Sequence, residues 1–322
     1  MRVMITGGTG SLGQALTRRL LDGNLAERIV VYSRSEYAQA QMAERLGHDP
    51  RVSWINGDVR DRERLDDALH RVDTVVHAAA LKMIDGTEPL ELYKTNIDGT
   101  VNVVKAALRR RIAHVLMISS DKEAAACTAY GISKAAASQY VLYANVWGHP
   151  QTRLACVRYG NVLGSRGSLL PCWRRQMAQS LPLTITDPQA TRFWLRMVDA
   201  VDFILWSLQA MTGGEVFVPA CRASSLARLA EALTWEGDPP TKPLRLRAGE
   251  KRHEVLLVPE EAERAVRLTN GTFVVHSPYA AWHGRQHRGE ELAPGFTWRS
   301  DTAPQIPVTE LADWIREVPE GD

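Results

Sequence analysis

A glycine-spaced turn near the amino terminus leaves few folds open to this chain. Val3-Met-Ile-Thr6 is a short β-type run, and Gly7-Gly-Thr-Gly-Ser-Leu-Gly13 follows it directly. The turn opens a helical pattern that places Leu12, Leu16, Leu20 and Leu21 on one inner face. Glycines at 7, 10 and 13 permit a tight turn and a close backbone approach to a pyrophosphate, held by amide donors at the positive end of the helix. A glycine-rich stretch alone would read as a flexible loop; its place between strand and helix makes it a dinucleotide site. Gly7, Thr9, Gly10, Ser11, Leu12 and Gly13 are the expected contacts.

Further short apolar runs alternate with amphipathic helical stretches. Arg28-Ile-Val-Val-Tyr32 ends in Ser33 and Arg34, where an NAD-preferring site would carry an acidic residue for the ribose hydroxyls. Ser33 and Arg34 are suited to a 2′-phosphate, so NADP is expected, with NAD as the alternative. Val52-Ser-Trp-Ile-Asn56 leads to Asp58 and Val59, and Asp73-Thr-Val-Val-His77 leads to Ala78, Ala79 and Ala80. Asp58 is expected to accept from the adenine amino group, or else to cap a helix; the alanines leave room for the dinucleotide. The pattern predicts an α/β fold, a Rossmann-type doubly wound parallel sheet with a smaller carboxyl-terminal substrate-binding lobe. The cofactor lobe is expected over 1–160 with 198–220 packing back on it, and the substrate lobe over 161–197 and 221–322. Trp194, Trp206 and Trp235 read as packing residues.

A second constellation concerns chemistry. Tyr130 and Lys134 are four apart and share a helix face, where an ammonium can lower a phenol's pKa. Asp121 and Lys122 follow the apolar run His114-Val-Leu-Met-Ile118 and Ser119, at the carboxyl end of an expected strand, where open parallel sheets bind ligands. Either motif alone is commonplace; their joint occurrence downstream of a nucleotide signature points to acid–base and redox work at one site.

With 322 residues and 45% hydrophobic content the chain can bury a large core. A formal charge of +2 gives no nucleic-acid surface. Cys127, Cys156, Cys172 and Cys221 form no C-x-x-C pair and are expected as free thiols, Cys127 close to the site. No metal is expected. No apolar run approaches the ~20 residues of a membrane span and no leader pattern is present, so a soluble cytoplasmic protein is expected. The apolar faces formed by Val103, Val104, Ala107 and Leu108, and by Ala135, Ala136, Tyr140 and Val141, serve either an internal core or a homo-oligomer interface.

The chain resembles the extended short-chain dehydrogenases/reductases of the polysaccharide-biosynthesis type, and within them the inverting UDP-N-acetylglucosamine 4,6-dehydratases. The resemblance rests on the glycine loop, Ala78-Ala-Ala-Leu-Lys82, Lys94-Thr-Asn-Ile-Asp-Gly-Thr100, Ser119-Ser-Asp-Lys122 and Tyr130-Gly-Ile-Ser-Lys134. It continues through Arg158-Tyr-Gly-Asn-Val-Leu-Gly-Ser-Arg-Gly-Ser168, Thr191-Arg-Phe193, Gly214-Glu-Val-Phe-Val-Pro219 and Gly249-Glu-Lys-Arg-His-Glu-Val255. It implies a nucleotide-sugar substrate. Tyr130, helped by Lys134, would deprotonate the C4 hydroxyl during oxidation to a 4-keto sugar. Lys122 would be the base at C5 and Asp121 the acid at C6, with inversion at C5. The cofactor set widens to Lys82, Asn96 and Ser119, Asn96 positioning the helix of Tyr130. Lys82, Asn161, Ser168, Arg192, Arg252 and Glu254 are the implied substrate contacts. Lys122 must be neutral to act as base, and a cation such as Lys82 is expected to lower its pKa.

The chain departs from the family pattern beside the pocket. Met83-Ile-Asp-Gly86 replaces a His-Val-Pro-like continuation, and Glu123 with several alanines replaces a small residue and a proline. Glu123 is expected to raise the pKa of Lys122. Rival readings are a nucleotide-sugar 4-epimerase, a dehydratase that stops at a 5,6-ene product, and a redox-sensing binding protein. The Asp121 and Lys122 pair argues against the first, and the intact Tyr130 and Lys134 against the last. Calorimetry with both dinucleotides tests the Arg34 argument: Arg34→Asp is expected to reverse a preference for NADP, and a variant that keeps the preference would remove the argument.

Overall fold

The computed structural model describes residues 1–82, 88–234, 240–246, 248–279, 281–282, 284 and 286–319. The Met83 to Gly86 departure, Trp235 and residues 237–239 of the Pro-rich stretch at 237–243 lie outside the described residues. Strands β1 (Arg2–Thr6), β2 (Arg28–Ser33), β3 (Val52–Asn56), β4 (Thr74–His77), β5 (His114–Ile118) and β6 (Arg153–Val157) are separated by helices α1 (Ser11–Asp22), α2 (Glu36–Arg45), α3 (Arg62–Ala68), α4 (Pro89–Tyr93), α5 (Gly99–Arg109) and α6 (Ala129–Trp147). The strands pair in parallel in the order β3-β2-β1-β4-β5-β6, with Val216–Val218 parallel beside β6. The order reverses between β1 and β4, which opens a crevice at their carboxyl ends where Gly7 and Ala78 lie. The sheet is buried on both faces, so its strands are near-continuous apolar runs, such as Val3, Met4 and Ile5 in β1, none of them measurably exposed.

Helix Met197–Ala210 packs against α1. Strands Phe273–Val275, Ala265–Arg267 and Glu290–Glu291 extend the same sheet antiparallel beyond Val216–Val218. The boundary drawn at 221–322 is therefore crossed: part of that segment completes the main sheet. Phe273 packs beneath Phe296 and Trp298, and this hydrophobic seam holds the returning strands.

A separate apolar cluster gathers Leu163, Leu170, Trp173, Ile185, Trp194, Leu229 and Ile306. It supports a small sheet in which Thr191–Leu195 lies between Asn161–Val162 and Arg222–Ser225. Trp194 thus packs in this second core, and Trp206 packs against Phe203 and Phe217, as expected of structural tryptophans. Val103, Val104, Ala107, Leu108 and Val141 are core residues, whereas Ala136 is exposed. Trp173 is fully buried and donates its indole N–H to the Thr184 carbonyl at 2.9 Å. Trp173→Ala is expected to lower stability by about 3–5 kcal/mol in urea unfolding; a loss under about 1 kcal/mol would show that the second core carries little of the fold.

Candidate active site

The glycine turn is held by packing that no side chain could share. Gly7 has φ +67°, and a Cβ there would lie 2.9 Å from the Ala79 backbone; a Cβ on Gly13 would lie 2.4 Å from the Gly8 carbonyl oxygen. The turn and the start of α1 form one end of a cleft of about 1200 Å³. Gly7, Thr9, Gly10, Ser11, Leu12, Gly13, Ser33, Arg34, Asp58, Val59, Ala78, Ala79, Ala80, Lys82, Ser119, Tyr130 and Lys134 all line it, as do Lys122, Asn161, Ser168, Arg192 and Glu254. Asp121 lies just behind, fully buried. The cradle therefore fits a dinucleotide: open backbone amides, no intruding Cβ and a helix amino terminus.

Two expected contacts fall elsewhere. Asn96, in the π-helical turn Lys94–Asp98, does not line the cleft; its side chain bonds to Leu81 N (2.8 Å), Leu81 O (2.9 Å) and Ser133 Oγ (2.9 Å). It fixes the backbone before Lys82 against α6. The Arg252 guanidinium turns outward to Asp187 at 2.9 Å, and only its carbonyl faces inward, accepting from Arg192 at 3.1 Å. Asp58 lines the cleft with its carboxylate taken by Arg60 at 2.8 Å, and Ser33 Oγ accepts from Gln39 at 3.0 Å.

The reaction centre is built at the carboxyl end of β5. Ser119 N donates to Val157 O at 2.7 Å and Asp121 N to Tyr159 O at 3.0 Å, which ties the loop after β5 to the chain leaving β6. Lys122 Nζ then meets Asp121 Oδ1 (2.9 Å) and Oδ2 (3.1 Å), Asn161 Oδ1 (2.9 Å) and Glu254 Oε1 (3.3 Å). Burial alone would lower the lysine's pKa; Asp121 and Glu254 outweigh it and raise it. The expected depression by Lys82 is absent, and Lys82 itself is lowered by burial and Arg166. Nor does Glu123 act on Lys122. It turns the other way, onto Arg158. Asp121 is raised above its usual range, chiefly by burial.

Tyr130 also differs from expectation. Burial pushes its phenol up to about 12, and the first group opposing this is Lys122, with a hydrogen bond from Ser120. Lys134 donates instead to the Ile118 carbonyl at 2.7 Å and is brought down to about 8 by burial. Glu254 leaves its second oxygen, Oε2, buried without a partner in this cavity. Arg192 is held by Glu250 at 2.9 Å, and Arg166 reaches back to the Thr9 carbonyl and to Ser11 Oγ. The Ser165-Arg-Gly-Ser168 turn was expected at the sugar and phosphate from the resemblance, whereas Glu250 was not expected; its place in Gly249-Glu-Lys was the available signal.

The polysaccharide biosynthesis protein family matches residues 3–276. The chain belongs to this family. Among its relatives, a UDP-N-acetylglucosamine 4,6-dehydratase (inverting) of Campylobacter jejuni subsp. jejuni serotype O:23/36 (strain 81-176) is 36% identical over 94% of this chain and 93% of its own. A UDP-glucose 4-epimerase of Rickettsia felis is 38% identical over 82% and 79%. The crystal structure of Pen from Bacillus thuringiensis superposes with a TM-score of 0.89 at 30% identity, covering 98% of both chains. This family member thus carries the fold expected for it, and each of the quoted motifs except Gly214–Pro219, which lies in the main sheet, contributes to the cleft.

Lys134 places a measurable load on the fold. The folded protein releases its proton near pH 8 and an unfolded lysine near 10.5, so between these values the unfolded chain binds more protons and stability rises with pH. Below pH 8 the buried ammonium costs about 3 kcal/mol. Lys134→Met is expected to be more stable than wild type at pH 7 in urea unfolding, with the gap closing toward pH 10.5; a gap independent of pH would contradict this burden.

Proposed function

We propose that this chain is a nucleotide-sugar 4,6-dehydratase, a carbon–oxygen lyase taking UDP-N-acetylglucosamine or a close analogue, with inversion at C5. The observation that carries the reading is the buried Lys122 and Asp121 pair in the same cleft as Tyr130 and Lys134. The similarity to dehydratases over nearly the whole chain supports it. The cleft suits a nicotinamide dinucleotide along Gly7–Gly13, Asp58 and Ala78–Ala80, and Arg34 at its rim favours NADP. When bound, that group supplies a reversible two-electron acceptor for the sugar C4 position and a donor to C6.

The protein's own steps are proton transfers. Tyr130 rests as a phenol because burial raises its pKa; after its proton has passed to solvent, the phenolate takes the proton of the C4 hydroxyl, and the resulting ketone acidifies the C5 hydrogen. Lys122 and Asp121 rest as an ammonium–carboxylate pair, one proton away from the amine–acid pair that elimination needs. Moving that proton across the 2.9 Å contact breaks an Nζ–H bond and forms an Oδ–H bond. Lys122 then removes the C5 proton while Asp121 protonates the departing C6 oxygen, which leaves as water, and the ion pair is restored; once C6 is reduced, a solvent-derived proton adds to C5 from the opposite face. Glu254, with one oxygen on Lys122 and one unpartnered, accepts a substrate O–H or N–H donor. Arg192, held by Glu250 and the Arg252 carbonyl, offers its positive charge to the diphosphate at the cleft wall.

A 4-epimerase would use Tyr130 and Lys134 but has no use for a base at C5. We further place the protein in the cytoplasm as a homo-oligomer. No helix among the described residues is long and apolar enough to cross a membrane, and α6 exposes an apolar stripe of Ile132, Tyr143 and Trp147. Incubation with a panel of nucleotide sugars, followed by mass spectrometry, is expected to show loss of one water from the UDP-N-acetylglucosamine class. Lys122→Met and Asp121→Asn should each lower that rate by about 10²–10⁴-fold. Full activity of Lys122→Met would remove it as the base.

A further inference from the structure

Behind the reaction centre a second carboxylate is buried that takes no part in these steps. Glu123 is 6% exposed. Its Oε1 accepts from Arg158 Nε at 2.5 Å, and its Oε2 accepts from Ser138 Oγ at 2.5 Å and from Ser119 Oγ. Arg158 in turn grips Glu261 through both terminal nitrogens, at 2.7 and 2.8 Å, and donates to the Leu256 carbonyl at 3.0 Å. The cluster thus joins the loop after β5, α6, the chain leaving β6 and the short helix Pro259–Ala262. Arg158 has two carboxylates in contact, whereas Lys134, one helical turn before the Ser138 that binds Glu123, has Glu123 as the first charge favouring its ammonium. The other titratable groups facing Glu123 are the Tyr130 phenol on α6 and the Cys156 thiol on β6. Glu123 and Glu261 together balance Arg158 and Lys134, a neutral set in a region that excludes water.

We propose that Glu123 is a positioning residue for Tyr130 and Lys134: its carboxylate fastens the loop after β5 to α6 through Ser119 and Ser138, and supplies the counter-charge of the buried Lys134 ammonium. This rests on the role given to Tyr130 and Lys134 above. It also gives a physical part to the position where the chain departs from the family's small residue. Without that carboxylate, burial at Lys134 is opposed less, and the ammonium gives up its proton at lower pH. Lys134 lines the cofactor cleft, so its charge is part of what a dinucleotide meets.

The test follows NADPH binding by nucleotide fluorescence, and kcat for UDP-N-acetylglucosamine dehydration, each across the pH range around 8, in wild type, Glu123→Gln, Glu123→Ala and Glu123→Asp. The Gln and Ala variants are expected to move the alkaline limb of both profiles down by about one pH unit. Glu123→Asp, which keeps the charge, is expected to stay near wild type. Glu123→Ala carries the same test should the Gln variant not fold. Unmoved limbs in a folded Gln or Ala variant, or an Asp variant shifted as far as the Gln variant, would overturn the proposal. A wild type that binds NADPH yet removes water from no nucleotide sugar would defeat the dehydratase reading, and the binding limb would still decide the part played by Glu123.

Discussion

The arrangement of this site depends on one demand, that of keeping a lysine ammonium inside the protein. Lys122 is surrounded by Asp121, Asn161 and Glu254, and these come from three separate stretches of chain. An unpaired buried charge would simply neutralise, so the segments must arrive together or the site does not exist. The sheet supplies Asp121 through the loop after β5, and the small sheet beside the second core supplies Asn161. Glu254 comes from the chain entering Val255–Leu257 and is seated by Ser300 Oγ at 2.9 Å. Both apolar clusters therefore meet at one ion pair.

Two buried lysines in this cleft show how partners decide the sign of a pKa shift. Lys134 has a carbonyl and a more distant carboxylate, and burial wins, bringing it to about 8. Lys122 has two carboxylates close by, and burial loses. Neither result follows from being buried alone. The contrast suits the tasks proposed for them, a fixed charge near neutral pH for Lys134 and proton exchange with a partner in contact for Lys122.

Much of this was legible in the sequence because it is local. The strand–glycine–helix signature depends on consecutive residues, as do the four-residue spacing of Tyr130 and Lys134 and the adjacency of Asp121 and Lys122. What escaped depends on the path of the backbone through space. Arg252 and Glu254 are neighbours of equal promise, yet one faces Asp187 on the outside and the other Lys122 within. Asn96 holds the helix of Tyr130 through Ser133, but from behind the cleft and not as a lining contact of the cofactor. Glu123, next to Lys122 in the chain, serves Arg158 and Lys134 because the turn after β5 sends successive side chains to opposite sides. The late strands that complete the main sheet were missed because pairing across such distances leaves little local trace.

Dehydration by the proposed route requires Lys122 to remove a hydrogen from C5. Turnover of UDP-N-acetylglucosamine in deuterium oxide, with the product analysed by nuclear magnetic resonance, addresses it directly. A product that has lost water and carries solvent deuterium at C5 is the predicted result. A product that retains its original hydrogen at C5, with the hydroxyl at C6 intact and only C4 inverted, would contradict it.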